Sequence, residues 1–406
     1  MVTSRRIVGI AVILMLLVAS GVPLLVNPSP VAAQDEPCEG CPQDHPEGEL
    51  EYTIMRPSIE TLISWMEQER NLPEAYINPQ IQHQIEQFPE IYGTSLSLLS
   101  HLQYTPSERN QASCGNCWVW AGTGVMAIAL DVENSVKDRL SIQYLNSNYN
   151  GGSGSNWACC GGNLQNLANF YVGTGRAIPW SNTNAHWQDG GRSCGSGSTS
   201  VPAGTISTSP YYTVDSITAQ TITTRGVGEA TAIANIKNVL NQNRAIYFGF
   251  QLADNTDWNS FISFWNTQSE STIWDPDPYC GHTWNLSEGG GHGVLCVGFN
   301  DEAGTSNDYW IMLNSWGTEV GRPNGLFRVD MHMDYDCQLW VPSPYNQWLD
   351  SYSWLTLDIT YSVPPTTAPT LTAPANGSTV DDTSIEFTWT AADGATEYYL
   401  AVGEGP

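Results

Sequence analysis

The stretch Gln111-Ala112-Ser113-Cys114-Gly115-Asn116-Cys117-Trp118 sets two thiols three residues apart, with a tryptophan directly after the second. Three chemistries use such a pair. It can be a redox couple, it can be half of a zinc site, or it can set a structural cysteine beside a reactive one. Zinc needs a second ligand pair, which Cys38 and Cys41 could supply, but they lie outside the main domain. A thioredoxin-like couple sits in a βαβ context, which is missing here. A nucleophile needs a base, a group to orient that base, and donors for an oxyanion. His292 opens the apolar run HGVLCVGF after three glycines, and Asn314 ends DYWIMLN just before Ser315-Trp316-Gly317. Alone, a histidine leading an apolar strand is more often a core residue than a base. The order Cys…His…Asn, in these local contexts, gives the three residues weight together.

The chain that must position them has 406 residues, enough for two or three domains with a large core. Hydrophobic residues make up 41%, which is a globular composition. With 41 acidic against 14 basic residues, the net charge is −27, and such a surface repels nucleic acid and anionic lipid. Residues 1–33 read as a secretory signal peptide: a short basic start, an apolar run, and small residues up to Ala33. No later segment has the length and apolarity of a membrane span, so no stable span is expected after cleavage. Export to an oxidising compartment would let the ten cysteines pair. The expected location is secreted or cell-surface.

Residues 34–93 form a pro-segment or an N-terminal extension, with two short amphipathic helices. Ser58 caps the first, which carries Ile59, Leu62, Ile63 and Met66 on one face; Ile81, Ile85 and Phe88 mark the second. Residues 94–345 are the main domain. Helix-like patterns such as WVWAGTGVMAIALDVEN come first, and the short strand-like runs 244–250, 292–299, 308–316 and 325–331 follow. This order implies an α+β architecture with segregated halves. A linker spans 346–376, its Pro/Thr-rich part starting at Val363. Residues 377–406 begin an incomplete β-sandwich, with Ile385, Phe387 and Trp389, then Tyr398, Leu400 and Val402, in alternation.

The motifs together resemble the papain family of cysteine peptidases. The family pattern C-G-[SA]-C-[WY] appears as CGNCW, with Asn116 as a departure. LSIQYL (140–145), CCGG (159–162), GHGVLCVGF and NSWGTEVGRPNGLFRV follow in the family's order. The resemblance implies a two-subdomain fold, a helical half and a β-barrel-like half. It makes Cys117 the nucleophile, His292 the base and Asn314 its orienter. Trp316 becomes the indole that shields that pair, and Gln111 an oxyanion donor. A helix N-terminus and a protonated His292 would both favour a Cys117 thiolate. Gly161 and Gly162 match residues whose backbone pairs with an extended substrate. Leu164, Gly249 and Gly293 match a side pocket with room for a bulky apolar side chain. His292 lies further from Cys117 than the roughly 130–150 residues of the family pattern, which implies surface insertions.

The resemblance also pairs Cys114 with Cys159. Cys160 is expected to replace a family cysteine near Asn148 and to pair with Cys194. Cys280 and Cys337 should staple the second half, leaving Cys117 free and Cys296 a buried thiol. Cys38 and Cys41 would close on each other. The implied activity is hydrolysis of peptide bonds through an acyl-thioester, on peptide or protein substrates, with no metal and no cofactor. A partner could bind through the C-terminal module, which resembles the start of a fibronectin type III-like domain. The alternatives are an inactive binding module of the same fold, and an acyltransferase or ligase using the same thiol.

Overall fold

The computed structural model describes residues 51–88, 94–195, 197–302, 307–362, 370–374 and 386–390. The signal sequence, Cys38, Cys41, Ile385 and the alternation at Tyr398, Leu400 and Val402 lie outside them. Two helices come first, α1 (Ile59–Arg70) and α2 (Pro79–Gln87). Ser58 caps α1 by accepting a hydrogen bond from the Thr61 amide at 3.2 Å. Asn78 caps α2, whose first residue is Pro79. A short strand β1 (Ser95–Ser97) then leads to the helical half: α3 (Cys117–Asn134), α4 (Ile142–Asn148) and α5 (Leu164–Thr174).

Helix α3 is buried along its whole first half, from Cys117 to Ile128. A helix apolar all round belongs inside a core. At Gly124 an added Cβ would meet Leu295 Cδ2 at 2.5 Å, so the lack of a side chain lets α3 approach the sheet closely. That approach brings the two halves together.

The second half is built on one sheet. Its strands are β2 (Arg176–Ala177), β3 (Tyr212–Thr221), β4 (Ile246–Leu252), β5 (Ile273–Trp274), β6 (Gly290–Asn300), β7 (Tyr309–Leu313) and β8 (Leu326–Asp330). A further strand, β11 (Tyr352–Tyr361), follows the separate β9 (Gln338–Val341) and β10 (Gln347–Asp350) hairpin. The order is β2-β3-β11-β4-β6-β7-β8-β5, with β1 also on β6, and only β5 against β8 is parallel. Helices α6 (Glu229–Asn241) and α7 (Asn255–Thr267) flank it.

The expected boundary at 345 is therefore wrong for the fold. Residues 347–361, assigned to a linker, form β10 and β11, and β11 runs between β3 and β4. Ser353 faces Gly249 across the ladder, and Trp354, 2% exposed, faces Phe248. Its second part alternates Leu355, Leu357, Ile359 and Tyr361 with Thr356, Asp358 and Thr360, a strand signal that the linker assignment overlooked. The change in composition comes only at Val363. Beyond it, the described residues contribute one ladder, β12 (Leu371–Ala373) with β13 (Thr388–Trp389).

Residues 51–88 are part of the body. Ala75 and Thr221 exchange backbone hydrogen bonds with the opposite chain, the Ala75 amide to the Thr221 carbonyl at 2.7 Å and the Thr221 amide to the Pro73 carbonyl at 3.0 Å. Ile59, Leu62 and Met66 of α1 pack on Leu339, Val341 and Leu349 of the β9–β10 hairpin. Burying each such side chain contributes about 1.5–3 kcal/mol. Arg70 and Arg225 both pair with Asp350 at the end of β10.

A chain ending at Tyr345 should lose cooperative unfolding, because β3 and β4 would each lose their β11 partner. A circular-dichroism melt checks this. A sharp transition within a few degrees of the full chain would contradict the placement of β11.

Candidate active site

The opening question about the two cysteines resolves by connectivity. Cys114 is bonded to Cys159, while Cys117 is free and buried at the first turn of α3. The pair is therefore neither a redox couple nor half of a zinc site. The other bridges are Cys160–Cys194 and Cys280–Cys337, and Cys296 is the second free, buried thiol. Asn116 donates to Asn146 Oδ1 at 3.1 Å, and Asn146 donates to the buried Asp189 at 2.7 Å. That network ties the CGNCW turn to the loop carrying Cys194, and gives the departure from the family pattern a structural job.

Strand β6 delivers His292 beside α3. The amide of its neighbour Gly293 donates to Cys117 Sγ at 3.4 Å. His292 Nε2 bonds Asn314 Oδ1 at 2.7 Å, leaving Nδ1 as the ring nitrogen without a partner. Asn314 sits just past the end of β7, where Arg109 Nε holds its carbonyl at 3.0 Å. The Trp316 ring lies over His292 with centroids 4.6 Å apart. Gln111 is fully buried, and its Oε1 accepts from Ser315 Oγ at 2.7 Å. Ser315 was given no role in the sequence reading, although it lies inside the Asn-Ser-Trp-Gly run.

The N-terminal segment crosses this constellation. Gln111 Nε2 donates to the Thr53 carbonyl at 3.0 Å, and also to Cys114 O. Tyr52 stacks on Trp316 with centroids 4.6 Å apart and planes 15° apart. Met55 and Gly291 exchange two backbone hydrogen bonds of 2.9 Å as an antiparallel bridge. Gly161, at φ +107°, is covered by the same segment: a Cβ there would lie 3.2 Å from Trp65 and 3.4 Å from Met55. A Cβ at Gly290 would strike Ile54 at 2.5 Å.

Burial sets the protonation states. It pushes the Cys117 thiol up to about 12, against smaller lowering by backbone amides of Gly293, Trp118 and Cys117 itself. It pulls the His292 imidazole down to about 4, against the Asn314 hydrogen bond. The expected thiolate and imidazolium are thus a neutral thiol and a neutral ring in this state. Helix-end and amide contributions are outweighed by removal from water.

Beside the cleft lies a pocket that includes Gly162, Asn163, Tyr247, Gly249, Gln251 and Ser353, closed over by Met55, Trp65 and Glu69. Two residues expected there do not line it. Leu164 is fully buried against Gly122 of α3, and the space at Gly293 is taken by the Tyr247 hydroxyl, 2.5 Å from where a Cβ would stand. The pocket is also more polar than expected: Ser353 Oγ donates to Glu69 Oε2 at 2.6 Å. Tyr247 and Gln251 lie on β4 beside the expected Gly249, and Ser353 gave no sequence signal because β11 was missed.

The profile described as "Papain family cysteine protease" matches residues 101–343. Over 232 residues the chain is 25% identical to "Digestive cysteine proteinase 3" of Homarus americanus and 24% identical to "Cathepsin L-like proteinase" of Fasciola hepatica. Each alignment covers 56% of this chain, and the chain spans only 59% and 57% of those relatives. Among solved structures it is similar to the bromelain protease of Ananas comosus in complex with E64 (TM-score 0.40, 17% identity, 64% of this chain and 97% of that one). It is also similar to digestive procathepsin L 3 of Tenebrio molitor (TM-score 0.43, 18% identity, 73% and 78%). The profile covers more than half of the chain and takes in the cysteine, histidine and asparagine motifs, so this chain belongs to the papain family of cysteine proteases.

Proposed function

We propose that the chain is a secreted cysteine endopeptidase held latent by its own residues 51–70. The hydrogen bond from Gln111 to the Thr53 carbonyl carries this reading, because it puts a chain carbonyl on the donor that would hold a substrate's oxyanion. With the segment displaced, water reaches the cleft and burial no longer holds Cys117 and His292 neutral. His292 Nδ1 takes the thiol proton, and the sulfur attacks the peptide carbonyl. The negative oxygen is held by Gln111 Nε2 and the Cys117 amide. The proton passes from His292 to the leaving amine, and a water molecule then hydrolyses the thioester with His292 again as base. Asn314 keeps Nε2 engaged, and Trp316 covers that hydrogen bond. Gly161 and Gly162 offer backbone to an extended peptide where Met55 now lies.

Three disulfides among the described residues support an oxidising, extracytoplasmic location. Among those residues no helix is long and apolar enough to cross a membrane. The substrates are peptides or proteins. A partner for residues 377–406 belongs to the same proposal.

Fluorogenic peptides test the activity, offered to the full chain before and after limited proteolysis in the N-terminal segment. Hydrolysis should rise on cleavage and vanish in Cys117→Ala. Gln111→Ala should lower kcat by about 10–1000-fold with little change in KM. An effect on KM alone would remove Gln111 from the oxyanion site.

Latency should also depend on pH through Glu69. Burial raises its carboxyl from 4.5 to about 7, against the Ser353 hydrogen bond. A carboxyl whose docked pKa lies above its free value favours docking below 4.5 and loses that contribution as pH rises through about 7. Exchange of the Met55 amide, corrected for its intrinsic rate, should therefore accelerate between pH 5 and 8. Glu69→Gln should flatten that rise by about tenfold or more. An identical profile in the variant would remove Glu69 from the latch.

A further inference from the structure

The pocket that receives Glu69 carries two buried polar atoms with no partner. They are Asn163 Nδ2 and Gln251 Oε1, on residues 3% and 8% exposed. Asn163 Oδ1 is already used, accepting from the Asn166 amide at 3.0 Å to cap α5, so the free group is the amide's donor end. Ser353 supplies a hydroxyl, which the structure shows donating to a carboxyl at 2.6 Å. Apart from Glu69 itself, the described residues line this pocket with no charged side chain other than His292, if it is protonated.

We infer that this pocket selects a neutral, hydrogen-bonding substrate side chain, glutamine foremost, in place of the bulky apolar one that the sequence suggests. The inference rests on the peptidase reading and names the substrate class for that same site. An apolar side chain would seal Asn163 Nδ2 and Gln251 Oε1 from water without satisfying either, which is costly. A carboxamide offers both halves of what is missing: an oxygen for Asn163 Nδ2 and Ser353 Oγ, and an N–H for Gln251 Oε1. Glu69 occupies the pocket in this fold with its Oε2 on Ser353, and as docked it reaches neither Asn163 Nδ2 nor Gln251 Oε1, the two atoms a substrate carboxamide would engage. An ionised carboxylate finds no cation there, and an arginine or lysine finds no carboxylate.

Two measurements test this. In the first, the full chain opened by limited proteolysis is given peptides differing only at the second residue before the scissile bond. Glutamine should exceed leucine by at least about tenfold in kcat/KM, as expected when a polar site is left unpaired by the wrong side chain. Gln251→Leu should narrow or reverse that ratio. Leucine preferred over glutamine by the wild type would overturn the inference while leaving the peptidase reading intact. Failure to cleave any peptide would instead count against the peptidase reading, and the second measurement decides the pocket independently of turnover. In the intact chain at pH 8, Glu69→Gln should protect the Met55 and Gly291 amides from exchange at least about tenfold better than Glu69→Leu. Equal or better protection by Glu69→Leu would overturn the inference.

Discussion

The backbone of β6 from Gly290 to Gly293 is the constraint on which the cleft depends. Its Gly291 pairs with Met55 of the N-terminal segment, its next residue is His292, and its Gly293 amide reaches Cys117 Sγ. A strand that carries the proposed base can hold it steady only if both neighbours are fixed. Here β4 and β7 flank it, and α3 packs against it at Gly124 and Leu295. The same few residues must also stay small. A side chain at Gly290 would collide with Ile54, and one at Gly293 with the Tyr247 hydroxyl. Glycine is therefore needed here for close approach of other chains more than for its own conformational freedom.

In the proposed reading catalysis and latency compete for one surface, because the segment lies on that strand. Thr53 occupies the Gln111 donor, Tyr52 covers Trp316, and Glu69 fills the side pocket. Each is a contact that a substrate would have to replace. Burial holds the thiol and the imidazole neutral, so in the proposed latent state the chemistry is suppressed electrically as well as sterically. The acidic surface, with a net charge of −27, adds nothing to this local balance, since the buried groups respond to desolvation first.

Much of this was legible in the sequence, for identifiable reasons. Cys117, His292, Asn314 and Gln111 stand in short contiguous motifs, and the structure brings all four to one site. Ser58 predicted the start of α1, because capping is a local interaction between residues three apart. Strand β11 was missed although Leu355, Leu357, Ile359 and Tyr361 alternate with polar residues; the linker's composition begins only two residues after it, and the boundary was drawn too early. The polar lining of the pocket gave no local signal either. Ser353 and Gln251 reach it from strands a hundred residues apart, and no local pattern announces that meeting. The neutral state of the site was equally hidden, since it follows from burial in the folded chain, which no local pattern announces.

In the proposed latent state, residues 52–55 keep the Cys117 thiol neutral by excluding water. The rate of Cys117 alkylation against pH, with Cys117→Ala as background for Cys296, tests it directly. With the segment docked, reactivity should climb only toward about 12. With the segment displaced, it should reach its plateau well below 9.0, the ordinary thiol value. The same profile in both states would contradict the account.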